Sequence, residues 1–240
     1  MSQINLNQKN PEIIIALDYD DKKSIFELID KLDPSIFKLK IGHCMFIKFG
    51  ISLIKEIKKL NFDIFVDLKL YDIPNIIFKS IVSIAELGVW MTSIHASGGG
   101  NMMEHAKLAL NNFVNPPLLI AITALTSFTG FDLSQTGVSI SLSNYIVKLS
   151  ELTKSYKLNG IVCPGYISKK IKQILGNDFK IIVPGIRFIN HDQNDQNLIT
   201  YIEEIKRYSI DYIVIGRTIT STSNPIQTLH KILNYIHSSN

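Results

Sequence analysis

Residues 63–75 read DIFVDLKLYDIPN and place Asp67, Lys69 and Asp72 close together along the chain. An ammonium set among carboxylates has two chemical uses. It can stabilise negative charge that develops on a reacting atom, and it can donate a proton there. The competing explanation is a structural ion-pair network, since such networks also gather charges of both signs. Burying charges at the end of a strand is costly unless they are paired or useful.

The same stretch has the period of a strand. Ile64, Val66, Leu68 and Leu70 alternate with Phe65, Asp67 and Lys69, which puts Asp67 and Lys69 on one face. Similar short runs rich in Ile and Val recur at 12–18, 36–42, 90–96, 118–125, 159–163, 179–185 and 211–216. Amphipathic stretches lie between them. Ile25, Leu28, Ile29 and Leu32 mark one helical face, and Ile47, Ile51, Ile54 and Ile57 mark another. Asn224 and Pro225 suit the cap and first turn of a last helix. Eight strand–helix pairs predict an α/β fold, a (β/α)8 TIM barrel in a single domain, with a polar arm over 1–11 and the barrel over 12–237. A doubly wound open sheet is the structural rival, but no G-x-G-x-x-G opens the first helix, and HASGGG at 95–100 lacks that spacing.

In a barrel the active site sits at the C-terminal ends of the strands. Five predicted strands bring charge there: Asp18, Lys40, the Asp67–Lys69 pair, Arg187 in PGIR and Arg217 in IGR. Lys40, Asp67, Lys69 and Asp72 form an alternating row. Asp72 follows a turn, and Pro74 can start the next helix, so Asp72 is free to leave its own barrel mouth and reach a partner's. The last two strand ends suit phosphate, with Gly185 and Gly216 allowing close approach and Arg217 forking two oxygens. For Arg217 the alternative is a surface salt bridge, and for Arg187 the start of a polar loop. That loop, 187–197, is a candidate lid carrying Gln196. Thr126 and Ser127 can meet ligand hydroxyls. His95 is read as packed rather than catalytic.

Composition narrows the partners. The chain has 240 residues, and its 25 basic residues against 21 acidic ones are spread without a basic block, which gives nucleic-acid binding little support. Cys44 and Cys163 are far apart, no ligand set has metal spacing, and both thiols are read as small core residues. The first ten residues are polar, and the longest apolar runs, IIIAL and LLIAI, are too short to cross a bilayer. A soluble cytoplasmic protein is expected.

DLKLYDIPN fits the signature D-x-K-x-x-D-I-P; IALDY and KLKIG precede it, and HASGG, LTS, VPGIR, DQ at 195–196 and IGR follow it. Together these segments resemble the orotidine 5′-phosphate decarboxylase family, bacterial type, over about residues 12–235. The resemblance implies a homodimeric barrel that makes UMP from OMP with no cofactor and no metal. It implies Lys69 as the acid that protonates a C6 carbanion, with Asp67 beside the substrate carboxylate. Asp72 and Ile73 would come from the opposite subunit, Lys40 and Asp18 would hold the ribose with Thr126 nearby, and Arg187, Gln196, Gly216 and Arg217 would hold the phosphate. Two positions depart from the family pattern: Ile76 stands where many bacterial members have Thr, and Pro164 where Ser often reads the pyrimidine edge. The alternatives are a Mg²⁺-dependent sugar-phosphate decarboxylase or aldolase on a related barrel, and a non-catalytic nucleotide-phosphate binder.

Overall fold

The computed structural model describes residues 10–189 and 197–238. Its strands and helices run β1 (Glu12–Ala16), α1 (Lys22–Ile29), β2 (Phe37–Gly42), α2 (His43–Lys58), β3 (Ile64–Leu70) and α3 (Pro74–Glu86). They continue with β4 (Met91–His95), α4 (Gly99–Leu108), β5 (Leu118–Ile122), α5 (Gly130–Gln135), α6 (Leu142–Ser155), β6 (Gly160–Val162) and α7 (Ser168–Leu175). Last come β7 (Lys180–Val183), β8 (Ile186–Arg187), β9 (Thr200–Tyr201), β10 (Tyr212–Ile215), α8 (Arg217–Thr220) and α9 (Pro225–His237). The parallel strands close in the order β1-β10-β7-β6-β5-β4-β3-β2, the barrel the strand–helix alternation predicts.

Strand alternation builds two apolar layers. Ile14, Ala16, Phe65, Met91, Ile120, Ile122, Val162, Ile182 and Val214 fill the barrel interior. Their neighbours Ile13, Ile15, Leu39, Ile41, Ile64, Val66, Ile181 and Ile213 face the helices. Each fully buried Ile, Leu or Val contributes about 1.5–3 kcal/mol relative to exposure, so both layers hold the strand ends in fixed register.

Local chemistry starts and stops the helices. Asp21 accepts from the Ser24 N–H and leads into α1, which buries Ile25, Leu28 and Ile29. Asn224 accepts from the Gln227 N–H, with Pro225 in the first turn of α9. α2 departs from expectation. Ile54 and Ile57 are buried, but Ile47 is 81% exposed and Ile51 also faces out. The cause is Gly50, whose φ of +61° kinks the helix and shifts the phase of the first turns, so Met45 rather than Ile47 reaches the core.

β2 carries one lysine to each end of the barrel. Lys38 lies at the floor, where its Nζ is 2.6 Å from Asp63 and 3.4 Å from Glu12 and stands 4.6 Å over the Trp90 ring. Trp90 meets Tyr212 edge-on, and burial pushes the Tyr212 hydroxyl pKa up to about 12. Lys40, two residues on, reaches the mouth. The short parallel pair β8–β9 follows β7 and is not evident as periodicity in the sequence. Most of the candidate lid, Gln196 included, and residues 1–9 of the polar arm lie outside the described residues.

Gly160 pairs with Lys180 across β6 and β7, and a Cβ there would overlap the Lys180 carbonyl oxygen. Gly160→Ala should therefore cost about 2–4 kcal/mol. In a thermal melt that is a Tm lower by roughly 5–15 °C. Gly130→Ala, where an added Cβ meets nothing within 4 Å, should melt with the wild type.

Candidate active site

The mouth of the barrel encloses a cavity of about 550 Å³. Asp18, Lys40, Asp67, Lys69, Thr126, Ser127, Gly185, Arg187, Gly216 and Arg217 all line it, so the charged strand ends read from sequence converge on one space. Phe65, Ile122, Val162 and Val214 form its apolar floor. Pro164 is buried and is not among the lining residues.

Its chemistry centres on Asp67, which is 6% exposed. Lys69 Nζ donates to Asp67 Oδ2 at 2.7 Å, and Lys40 Nζ lies 3.6 Å from the same oxygen. The Ser93 hydroxyl donates to Oδ1 at 2.8 Å. Burial alone would push the Asp67 pKa up. The Lys40 and Lys69 ammoniums, with the hydrogen bonds from Lys69 and Ser93, outweigh burial and hold it below the ordinary carboxylate value. Each charge pair near 4 Å is worth roughly 4 kcal/mol at an effective dielectric of 20.

The backbone is shaped to make this contact. Val66 pairs with Thr92, but the next pairing is Leu70 with Ile94, so β3 spends more residues than β4 over the same span. Within that bulge Lys69 takes φ +46°, a left-handed conformation that costs a non-glycine residue about 1–2 kcal/mol. Its N–H donates to Ser93 Oγ at 3.0 Å. At the next strand, a Cβ on Gly42 would stand 3.1 Å from Lys40 Nζ and 3.7 Å from Asp18 Oδ1, so the glycine leaves room for the lysine beside Asp18.

On the far side of the mouth, Arg187 is buried, and its Nη1 donates to the Ile186 carbonyl at 2.8 Å and to Thr218 Oγ1 at 3.3 Å. Gly216 caps α8 and Arg217 is its first residue. The Thr126 carbonyl accepts from the N–H groups of Asn197 and Leu198, both at 2.9 Å, and Asn197 Nδ2 donates to the Ser127 carbonyl. The chain after residue 196 is thereby tied to the rim at Thr126.

Asp72 and Ile73 are placed apart from this space. Both are exposed, and among the described residues Asp72 accepts only the Ile73 N–H, at 2.7 Å. Within one chain the row of charges is Lys40, Asp67 and Lys69. His95 is packed, as expected: Ser97 Oγ is 2.7 Å from its Nδ1, and Tyr71 meets its ring edge-on. Burial first, then the Lys69 charge, lowers its pKa. Ser93 was not singled out from sequence. The signal was its inward register with Met91 on β4, which is an unusual place for a hydroxyl unless a partner faces it. Among the described residues no group of three or more His, Cys, Asp or Glu is placed to hold a metal ion, and no helix is long and apolar enough to cross a membrane.

Residues 11–232 match the family model described as Orotidine 5′-phosphate decarboxylase / HUMPS family. A protein named orotidine 5′-phosphate decarboxylase from Buchnera aphidicola of Schizaphis graminum is 51% identical over 227 residues, covering 95% of this chain and 96% of that one. One of the same name from the Acyrthosiphon pisum subspecies, strain Tuc7, is 53% identical over 223 residues, covering 93% and 94%. The crystal structure of orotidine 5′-phosphate decarboxylase from Lactobacillus acidophilus superposes with a TM-score of 0.83 at 29% identity, over 96% of this chain and all of that one.

Removing the central anion should destabilise the chain, because two ammoniums would be left facing each other in a partly dry site. Asp67→Ala should lower unfolding free energy at pH 7 by about 3–5 kcal/mol. The pH dependence has a definite sign. The folded pKa of Asp67 is depressed, so its contribution is complete above the unfolded value near 3.8 and is lost as pH falls below it through the folded value. Denaturant titrations should show a shallower loss of stability below pH 4 in Asp67→Ala than in the wild type.

Proposed function

Because this chain belongs to the orotidine 5′-phosphate decarboxylase / HUMPS family, we propose that Lys69, Asp67 and Lys40 carry the chemistry of its reaction. That reaction is the decarboxylation of orotidine 5′-monophosphate to UMP in pyrimidine nucleotide synthesis. The observation that carries the assignment is the 2.7 Å contact between Lys69 Nζ and Asp67 inside the cavity, with Lys40 Nζ 3.6 Å from the same carboxylate oxygen.

The substrate carboxylate at C6 lies beside Asp67, and the two anions repel. The C6–carboxylate bond breaks, CO2 leaves, and the bonding pair stays on C6 as a vinyl carbanion. Lys69 Nζ, already in place, stabilises that pair without solvent reorganisation and then transfers a proton to C6. Solvent restores the ammonium once UMP departs. Asp67 holds Lys69 during the reaction, and Lys40 holds Asp67 while also reaching toward the ribose with Asp18 and Thr126.

Repulsion is one modest contribution. A charge pair at this distance is worth roughly 4 kcal/mol, against the 8–23 kcal/mol by which enzymes lower barriers. The rest comes from positioning, with binding energy drawn from groups remote from C6. Arg187, Gly216 and Arg217 form the phosphate grip, with Gln196 assigned to the same grip by resemblance alone. Pro164 offers no hydroxyl and no N–H. The Gly165 N–H that follows it already donates to Thr200 Oγ1. The pyrimidine edge is then read by water or by another backbone group of this rim.

Tyr71, Ile73, Ile76 and Phe78, close to Asp72 in sequence, all leave apolar surface exposed. This apolar surface supports a homodimer in which Asp72 and Ile73 complete the partner's site, with Ile76 adding apolar contact in place of a hydroxyl. We place the enzyme in the cytoplasm as a barrel that spans residues 12–237, acting on a free nucleotide without cofactor, metal, nucleic acid or membrane.

Three variants test these roles through CO2 release from orotidine 5′-monophosphate. Lys69→Ala should lose more than nine-tenths of the activity, and a variant that keeps a tenth of it refutes the acid. Mixing inactive Lys69→Ala and Asp72→Ala chains should restore activity through sites built from one intact copy of each residue; a mixture as inactive as its components argues against sharing. Arg217→Ala should lower kcat/KM by about 10²-fold although it is remote from C6.

A further inference from the structure

We infer that Ser93 is a positioning residue for this reaction: one buried hydroxyl holds both the Asp67 carboxylate and the backbone of Lys69, and so sets where the ammonium stands. The inference rests on the reading of Lys69 as proton donor given above.

Ser93 is fully buried on β4. Its Oγ donates to Asp67 Oδ1 at 2.8 Å and accepts from the Lys69 N–H at 3.0 Å. A hydroxyl has one hydrogen to give, and here Asp67 takes it while a lone pair faces the amide. The two oxygens of Asp67 are thereby divided. Oδ1 is held by Ser93, and Oδ2 is left to Lys69 and Lys40. That division fixes the rotation of the carboxylate plane, which a lysine contact alone would leave loose.

The amide contact matters because the strand pairing is interrupted at this point. β3 pairs through Val66 with Thr92 and resumes through Leu70 with Ile94. Ser93 is the β4 residue opposite the break, and its hydroxyl takes the Lys69 N–H within the bulge. Without it, Lys69 in its left-handed conformation at φ +46° would lack this anchor. The neighbouring hydroxyl has a different role. Thr92 is also fully buried, but its Oγ1 donates to the Val66 carbonyl at 3.2 Å and touches none of the charged row.

The test compares Ser93→Ala, Ser93→Cys and Thr92→Val in the full-length protein, measuring kcat and KM for orotidine 5′-monophosphate, Kd for UMP and the pH profile of kcat. A misplaced ammonium lowers kcat while leaving the phosphate and ribose contacts intact. Ser93→Ala should lose about 10²-fold in kcat, the scale of a small misplacement of reacting groups, while KM and the UMP Kd stay within about 3-fold. Its acidic limb should move to higher pH, because Asp67 loses a donor that favours its ionised form. Ser93→Cys, which keeps the volume and offers only a weakly bonding sulfur, should fall between Ala and wild type, and it carries the test if the Ala chain does not fold. Thr92→Val should keep the wild-type kcat. An active wild type with Ser93→Ala equally active overturns the role of Ser93 alone. So does a kcat loss matched by Thr92→Val, or one accompanied by an equal loss of UMP affinity. A wild-type chain that releases no CO2 refutes the reaction itself, and the inference with it.

Discussion

The charged row at the barrel mouth depends on one carboxylate shared by two ammoniums and a hydroxyl. Asp67 is nearly inaccessible to water, which by itself would favour its neutral form. It keeps its charge because Lys40, Lys69 and Ser93 all point at it. The dependence runs both ways, since two ammoniums would not lie this close without an anion between them. A cluster of this kind is weak as a source of stability, because desolvation offsets most of the attraction. Its value lies in orientation. A lysine side chain is long and flexible, and a short contact to a fixed carboxylate removes much of that freedom before any ligand arrives.

Holding Asp67 in place is in turn the task of the sheet. Phe65 lies below it in the barrel interior, while Ile64 and Val66 are pinned against the helices. The bulge that follows lets Lys69 turn back toward Asp67 instead of continuing along the strand. At the opposite end of the barrel a second ion-pair cluster forms around Lys38, with Asp63, Glu12 and the Trp90 ring. Lys38 and Lys40 are two residues apart on one face of β2, yet they serve opposite ends. The floor cluster closes the barrel where apolar packing runs out, and the mouth cluster leaves charge facing the cavity.

Strand periodicity made most of this readable in advance. The β1 to β7 and β10 cores fall inside the runs marked by Ile and Val, because parallel strands covered on both faces are apolar along their length. The inward register of Phe65 and Asp67 followed from alternation alone, whereas the bulge sets the direction of Lys69. Periodicity failed where the backbone broke it. Gly50 took Ile47 out of the core phase of α2, a change visible only once its φ is known. The β8–β9 pair and α8 are too short to carry a pattern. Ser93 escaped notice because its importance is tertiary: its register with Met91 turns it inward, but nothing local says that a carboxylate faces it there. Asp72 was read as one member of the alternating row, yet its own barrel mouth does not include it, because the chain has turned toward α3 by that point.

The two departures from the family pattern bear on different energies. Ile76 lies on the exposed apolar surface near Ile73, where exchanging a hydroxyl for a larger apolar group adds area that association can bury. Pro164 is removed from the cavity lining and cannot hydrogen-bond through side chain or amide. Neither residue touches Asp67, Lys69 or Lys40 in the described contacts. Losses at the pyrimidine edge would fall on substrate and transition state alike, and uniform losses of that kind raise KM while leaving the barrier from the bound complex unchanged. On the roles proposed for Lys69 and Asp67, a change in the charged row would act on the barrier itself, because a contact that strengthens only as charge develops is made in the transition state and not in the bound substrate.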